Sequence, residues 1–312
     1  MYIGIDLGGT NIAVGLVNCD GDIVLKASAP TNKERDWTEI VRDMAKLTEK
    51  VIKEAGYAIA DIKGVGIGSP GSIDNKRGVV VYANNIKFEN APVADEFRKY
   101  IDLPVNLEND ANAAAYGEYI KTGNNAESFV FVTLGTGVGG GIVLGGRIYR
   151  GFNGAGAEIG HTVIHHNGEQ CTCGRLGCWE AYASVTALIE QTKRKMAQCP
   201  QSQMHAVAAK YGEVNGRVAF DAARMGDSAA KEVCEAYISY IGEGLVNIIN
   251  TFQPEKVVIG GGISKEGDAL LIPLKEFAEK NDYNKYMQKT EIEIAKLYND
   301  AGIIGAAMAA MK

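Results

Sequence analysis

Apolar and small residues alternate with a period of two through YIGIDLGGTNIAVGLVNCDGDIVLKASA, and the pairs GG and DG interrupt the run. Such alternation puts one set of side chains on each face of a strand, so three antiparallel strands joined by tight hairpins are predicted. SFVFVTLGTGVGGGIVLGGRIYRG follows the same order of strand, glycine turn, strand, glycine turn, strand. Setting Leu7, Gly8 and Gly9 against Leu134, Gly135 and Thr136 brings the two turns into register 127 positions apart, which points to an internal duplication. Between the repeats the period changes. Ile40, Met44, Leu47 and Val51 recur at helical spacing and predict a helix from about Thr38 to Ala55. IKGVGIGSPG predicts a buried strand ending in a loop, and PVNLEND a strand running into a helix that begins near Ala111. From Trp179 to about Asn250 the pattern is mostly helical; the strands KVVIGGGIS and TEIEIAKL and the apolar helix AGIIGAAMAAMK follow. Strands alternating with helices around two duplicated hairpin sheets predict an α/β architecture of two related lobes. The expected division is a smaller lobe over 1–118 and a larger one over 119–300, with the helix at 301–312 returning to the first.

The length of 312 residues exceeds the usual size of one hydrophobic core, in keeping with two domains. A net charge of −6 without a lysine or arginine block excludes nucleic acid and anionic membranes as expected partners. Asp6 interrupts the first apolar run and no basic segment precedes it, so no signal peptide is expected. AGIIGAAMAAM is far shorter than the roughly 20 residues of a membrane span, and a cytoplasmic protein is expected.

Three of the six cysteines, Cys171, Cys173 and Cys178, fall in EQCTCGRLGCWE, and the other three, Cys19, Cys199 and Cys234, are scattered. Clustered cysteines in a reducing compartment read as metal ligands, and His161 just upstream completes a Cys₃His set for structural Zn²⁺. His165 and His166 are alternative fourth ligands. Gly174 and Gly177 let this loop bend tightly. Glu158 and Glu180 bracket the cluster and, not being soft-metal ligands of choice, suit other work. In DLGGTN, Gly8 and Gly9 allow positive φ and leave N–H groups bare for a phosphate; Thr10 and Asn11 add donors. Asp6, at the end of its strand, could hold Mg²⁺ through water. A plain hairpin turn accounts for the same residues. The second turn, Gly135, Thr136, Gly137, Val138, Gly139, Gly140, also satisfies G-x-G-x-x-G, but a strand and not a helix follows, which excludes a dinucleotide fold. Gly260, Gly261 and Gly262 follow an apolar strand and would let backbone pack on a flat ring such as adenine, or simply make a sharp turn. Asp110, where VNLEN gives way to ANAAAYGEY, reads as an N-cap, as a general base kept ionised by the helix N-terminus, or as both.

DLGGTN, LGTGVGGG, GAEIGH and CTCGRLGCWE occur in that order, and with them the whole chain resembles the ROK family of sugar kinases, most narrowly its bacterial ATP-dependent glucokinases. The resemblance implies a two-lobed actin-like ATPase (ribonuclease H-like) fold with a zinc-stabilised loop. It implies ATP-dependent phosphorylation of a hexose 6-hydroxyl, with Asp110 as the base. Asn109, Glu158, His161 and Glu180 would bind other hydroxyls, His161 also ligating zinc. Gly71 in GSPGSID matches a loop on the sugar side, to which Asn84 or Asn85 in YANNIKF could contribute. The first two glycine turns match ATP phosphate loops, and the GGG run matches the adenosine side. Glucose leads over N-acetylglucosamine, mannose, N-acetylmannosamine and fructose by this resemblance alone, which also implies a homodimer. Sugar-responsive repressors of the family carry a winged helix ahead of the DLGGT strand, which here starts at Met1; a DNA-reading role is therefore not expected. A non-catalytic sugar-binding protein is a second rival, against which the intact Asp110 and phosphate turns argue.

Overall fold

A computed structural model describes residues 1–83, 85–122 and 126–311. The first hairpin segment forms β1 (Tyr2–Leu7), β2 (Asn11–Val17) and β3 (Ile23–Pro30), followed by helix α1 (Trp37–Glu54) and strand β4 (Val65–Ser69). Three short strands come next: β5 (Ser72–Asp74), β6 (Val79–Ala83) and β7 (Phe88–Ala91). Helix α2 (Val93–Arg98), strand β8 (Val105–Asn109) and helix α3 (Asp110–Thr122) lead to the second repeat. That repeat is β9 (Ser128–Leu134), β10 (Val138–Leu144) and β11 (Arg147–Ile148). The rest comprises α4 (Glu180–Ala183), α5 (Val185–Gln198), α6 (Met204–Tyr211), α7 (Val218–Arg224) and α8 (Ser228–Phe252), then β12 (Lys256–Gly260), α9 (Asp268–Asn281), β13 (Glu291–Ile294) and α10 (Ala301–Ala309).

One five-stranded sheet has the order β3-β2-β1-β4-β8 and the other β11-β10-β9-β12-β13. Renumbered from its own first repeat strand, each reads 3-2-1-4-5, so the duplication extends from the turns to whole sheets. A third sheet, β5-β6-β7, has no sequence signal of its own because its strands are only three to five residues long. Helix α9 is also hidden in the sequence, since Pro273 interrupts its pattern; an interior proline removes one backbone hydrogen bond without ending the helix here.

The chain divides into two compact units. The first comprises Met1–Phe131, Gly141–Ala157 and Lys296–Lys312, the second Val132–Gly140 and Glu158–Ala295. This division interleaves the chain more than a single boundary at 118/119: Val132–Gly140 belongs to the second unit, Gly141–Ala157 to the first, and Lys296–Lys312 returns to the first. In the first unit the core is built from Ile3, Ile5, Leu16, Ile40, Met44, Ile67 and their neighbours, all buried between the sheet and α1. α1 presents its apolar stripe there, capped by Asp36, whose carboxylate accepts the Thr38 N–H. α10 packs against α3, β1 and β4, and glycines set the approach: a methyl group at Gly66 would lie 1.8 Å from the Ala306 carbonyl oxygen.

Candidate active site

In the first unit the parallel strands β1, β4 and β8 have their carboxyl ends on the same side of the sheet, Asp6 level with Gly68 and Gly68 level with Glu108. Open α/β sheets bind ligands at the carboxyl ends of their strands. There β8 turns into α3. Asn109 Oδ1 accepts the Asn112 N–H at 3.1 Å, the capping bond of the helix. The cap is therefore Asn109 and not Asp110, which is the first helical residue and accepts the Ala111 N–H at 2.9 Å. Nor does the helix N-terminus dominate its protonation. Burial pushes the Asp110 carboxyl above its ordinary value, outweighing the backbone hydrogen bonds that pull it down. Asp6, at the end of β1, is pushed up to about 6, mainly by burial and then by the charge of Asp110.

The DLGGTN turn is closed by the Gly8 N–H donating to Asn11 O at 2.9 Å, and Thr31 Oγ1 donates to Gly8 O at 2.6 Å. Neither Gly8 nor Gly9 has positive φ, which corrects the expectation that these glycines serve a left-handed turn. They leave backbone bare along a groove of about 640 Å³ that Asp6, Thr10, Asn11 and Lys26 also line. Gly71 is required by the fold itself: φ is 96° and a methyl group would lie 2.1 Å from Tyr82 O. Its carbonyl accepts Asn109 Nδ2 at 3.2 Å, so it orients a predicted sugar ligand. Asn85 lies beside Gly9; Asn84 falls outside the described residues. Glu108 and Arg150 are functional candidates that the sequence does not single out. A charge inside the strand VNLEN is the available signal, but its partner lies 42 positions away.

In the second unit Trp179 anchors the segment that carries Glu180. Its indole is buried against Gly244, where a methyl group would lie 2.0 Å from Cε2, and its Nε1–H donates to Tyr240 O at 2.8 Å. Glu180 Oε2 accepts the Val138 N–H at 3.0 Å and Oε1 accepts Thr172 Oγ1–H at 3.1 Å, so this carboxylate ties the second glycine turn to the cysteine loop. Gly137 leaves room for it: a methyl group there would sit 2.3 Å from Oε2. The start of α5 holds the same turn, with the Val185 N–H on Gly135 O and Thr186 Oγ1–H on Thr136 O, both at 2.8 Å. Gly135 itself has no positive φ, and a methyl group there would meet no atom within 4 Å. The same holds for Gly262, whereas Gly261 needs its φ of 87° and would clash with Leu134. Gly260 ends β12.

Ligand atoms of His161, Cys171, Cys173 and Cys178 all lie within 4.8 Å of one another. The Cys173 and Cys178 sulfurs are 3.7 Å apart, as are Cys171 Sγ and His161 Nδ1. Tetrahedral Zn–S bonds of about 2.3 Å imply an S···S edge of roughly 3.8 Å, so the donor set fits the ion. Burial and the neighbouring thiols push Cys178 up to about 12, a disfavour toward thiolate that a bound cation would reverse. Among the described residues the cluster takes His161; His165 packs on Tyr182 instead. Gly174 and Gly177 have φ of 91° and 82°. Glu158 is exposed and immediately precedes the single turn Ile159–His161, while Ala157 before it holds a left-handed φ of 68°.

Sheet order and duplication define an actin-like ATPase fold, the architecture of ROK sugar kinase structures. The chain belongs to the ROK family, whose pattern matches residues 2–312. It is 39% identical over 306 residues to a glucokinase of Halalkalibacterium halodurans, covering 97% of this chain and 93% of that protein. A xylose repressor of Caldicellulosiruptor bescii is 31% identical over 97% of this chain and 76% of its own length. The crystal structure of a ROK family glucokinase from Streptomyces griseus in complex with glucose and AMPPNP superposes with a TM-score of 0.83 at 34% identity, covering 99% of each chain. Among the described residues no helix is long and apolar enough to cross a membrane.

Proposed function

We propose that this protein transfers the γ-phosphoryl group of ATP to the 6-hydroxyl of a hexose, with glucose the first candidate. The observation that carries this reading is the pair Asp6 and Asp110, two carboxylates at the carboxyl ends of parallel strands beside a bare glycine turn, the charge of one raising the pKa of the other. Phosphoryl transfer needs positioning and charge neutralisation more than covalent catalysis. Asp110 takes the 6-hydroxyl proton as that oxygen attacks the γ-phosphorus; the bond to the β–γ bridging oxygen breaks, and ADP and hexose 6-phosphate result. A carboxyl above its ordinary pKa is better matched to this proton than an unperturbed one. Mg²⁺ held near Asp6 would relieve the carboxylate repulsion and neutralise phosphate charge.

Asn109, Glu158, His161 and Glu180 take the other hydroxyls in this reading. Asn109 Nδ2 has a second hydrogen beyond the one on Gly71, and Glu180 has acceptor capacity beyond Val138 and Thr172. With Nδ1 of His161 turned to the cluster, Nε2 is left for sugar. Zn²⁺ on Cys171, Cys173, Cys178 and His161 would have no open position, so it supplies rigidity and no chemistry. Gly135 and Gly262, which the fold does not require, suit close approach by phosphate and adenine. Six free cysteines and use of ATP fit the cytoplasm.

ADP release measured over a panel of glucose, mannose, fructose, N-acetylglucosamine and N-acetylmannosamine, with Mg²⁺ and Zn²⁺ present, tests the function. Sugar binding with no sugar-dependent ADP release refutes the kinase and selects a regulator of the repressor type. For the base, Asp110→Asn is expected to keep sugar binding and lose roughly 10²–10⁴-fold in kcat.

A further inference from the structure

Glu108 is the one charged residue within β8, and its side chain is only 1% exposed. Both of its oxygens are engaged locally. Oε1 accepts the Asn109 N–H at 3.0 Å and Asn112 Nδ2 at 3.2 Å, while Oε2 accepts Arg150 Nε at 2.7 Å and Nη2 at 2.5 Å. These partners surround Asp110 in the chain: Asn109 precedes it and caps its helix, and Asn112 sits two residues on, in the first helical turn. A planar guanidinium that places two donors on one oxygen fixes direction as well as charge, which an ammonium does not. Arg150 is held in its turn. Its carbonyl accepts the Gly156 N–H at 2.9 Å, closing a short loop, and a methyl group at Gly156 would crowd Arg150 C and O at 2.9 and 3.0 Å. The guanidinium thus reaches Glu108 from a backbone tied into a closed loop.

We infer that Glu108 and Arg150 act together as positioning residues for Asp110, fixing the strand-to-helix junction so that the Asp110 carboxylate meets the acceptor hydroxyl in a reactive geometry. This rests on the reading of Asp110 as the base. Neither residue touches the reacting atoms. Their contribution lies in rotamer and register, where a misplacement of about 1 Å can cost on the order of 10²-fold in rate. Loss of the pair therefore lowers kcat while leaving ATP binding, which depends on the glycine turns, in place.

The test compares Glu108→Gln, Arg150→Met, Arg150→Lys and the double variant Glu108→Gln/Arg150→Met in the full chain, with circular dichroism to establish folding. Expected are a kcat at least tenfold lower in Arg150→Met with KM for ATP within twofold, partial recovery in Arg150→Lys, and a double variant no worse than the poorer single, as for residues acting as a unit. Should Arg150→Met fail to fold, the isosteric Glu108→Gln carries the same comparison. Folded Arg150→Met and Glu108→Gln with kcat within twofold of the parent overturn the inference, and so does a loss of activity that merely tracks the unfolded fraction. Asp110→Asn, measured in parallel, separates the two readings. If it abolishes turnover while the pair variants do not, only the positioning role fails; if it retains turnover, the base assignment fails.

Discussion

Asp6 is held at a cost to stability. Its carboxyl is raised from 3.8 to about 6 in the folded protein, so folding favours the protonated form. The associated stability is complete below the unfolded value and is lost as pH rises through about 6. A rise of that size corresponds to about 3 kcal/mol. Asp6→Asn is accordingly expected to raise the urea midpoint of metal-free protein at pH 8, by an amount equivalent to about 1–3 kcal/mol, and to leave it nearly unchanged at pH 4. An equal gain at both pH values would contradict burial of a charge as the cause. Gly135 presents the converse case, a residue the fold tolerates losing. A methyl group there meets nothing, so Gly135→Ala is expected to leave thermal stability unchanged while raising KM for ATP about tenfold or more through intrusion on a phosphate. Unchanged ATP kinetics would remove the phosphate-loop assignment. Sequence could nominate Gly8, Gly9, Gly135 and Gly137 together; it could not distinguish a glycine that accommodates Glu180 from one that faces open space, because that depends on neighbours far along the chain.

Helices α3 and α10 show how element packing reaches the site. α10 is apolar on every side and buried, as a helix of that composition must be. It approaches α3 so closely that a methyl group at Gly305 would lie 1.6 Å from the Ala113 carbonyl oxygen, and one at Gly117 2.2 Å from that of Ala301. Neither clash falls on a flexible side chain. Gly305→Ala should therefore destabilise by about 2–4 kcal/mol, measured as a lowered urea midpoint at constant m. It should also depress kcat, since Asp110 stands at the head of the displaced helix. Periodicity locates α1 within a residue, because its Ile40, Met44, Leu47 and Val51 stripe is continuous. β5, β6 and β7 are not legible, being too short for any period to emerge. The strand-to-helix change at β8 and α3 is legible as an event, yet the cap falls one residue earlier than expected, on Asn109.

Across the whole molecule, the proposed reading couples metal content to sugar binding through the cysteine loop. Cys173→Ser, or a zinc chelator, is expected to lower bound zinc, lower the melting temperature and raise KM for sugar more than it lowers kcat, because the ligand set is contiguous with Glu180 through Thr172. Metal-free protein with unchanged sugar kinetics would refute the scaffold role. A homodimer, proposed by analogy with the family, is tested by light scattering of the purified chain. The duplication, the Cys₃His set and the two glycine turns could be read from the chain alone, since each is a local pattern whose spacing carries its meaning. Which histidine joins the cysteines, that Glu108 has its cation in Arg150, that Asn109 caps α3, and that burial overrides the helix N-terminus at Asp110 came from the folded chain. Each depends on how much water a group loses and which distant residue replaces it, and long-range packing alone fixes those two quantities.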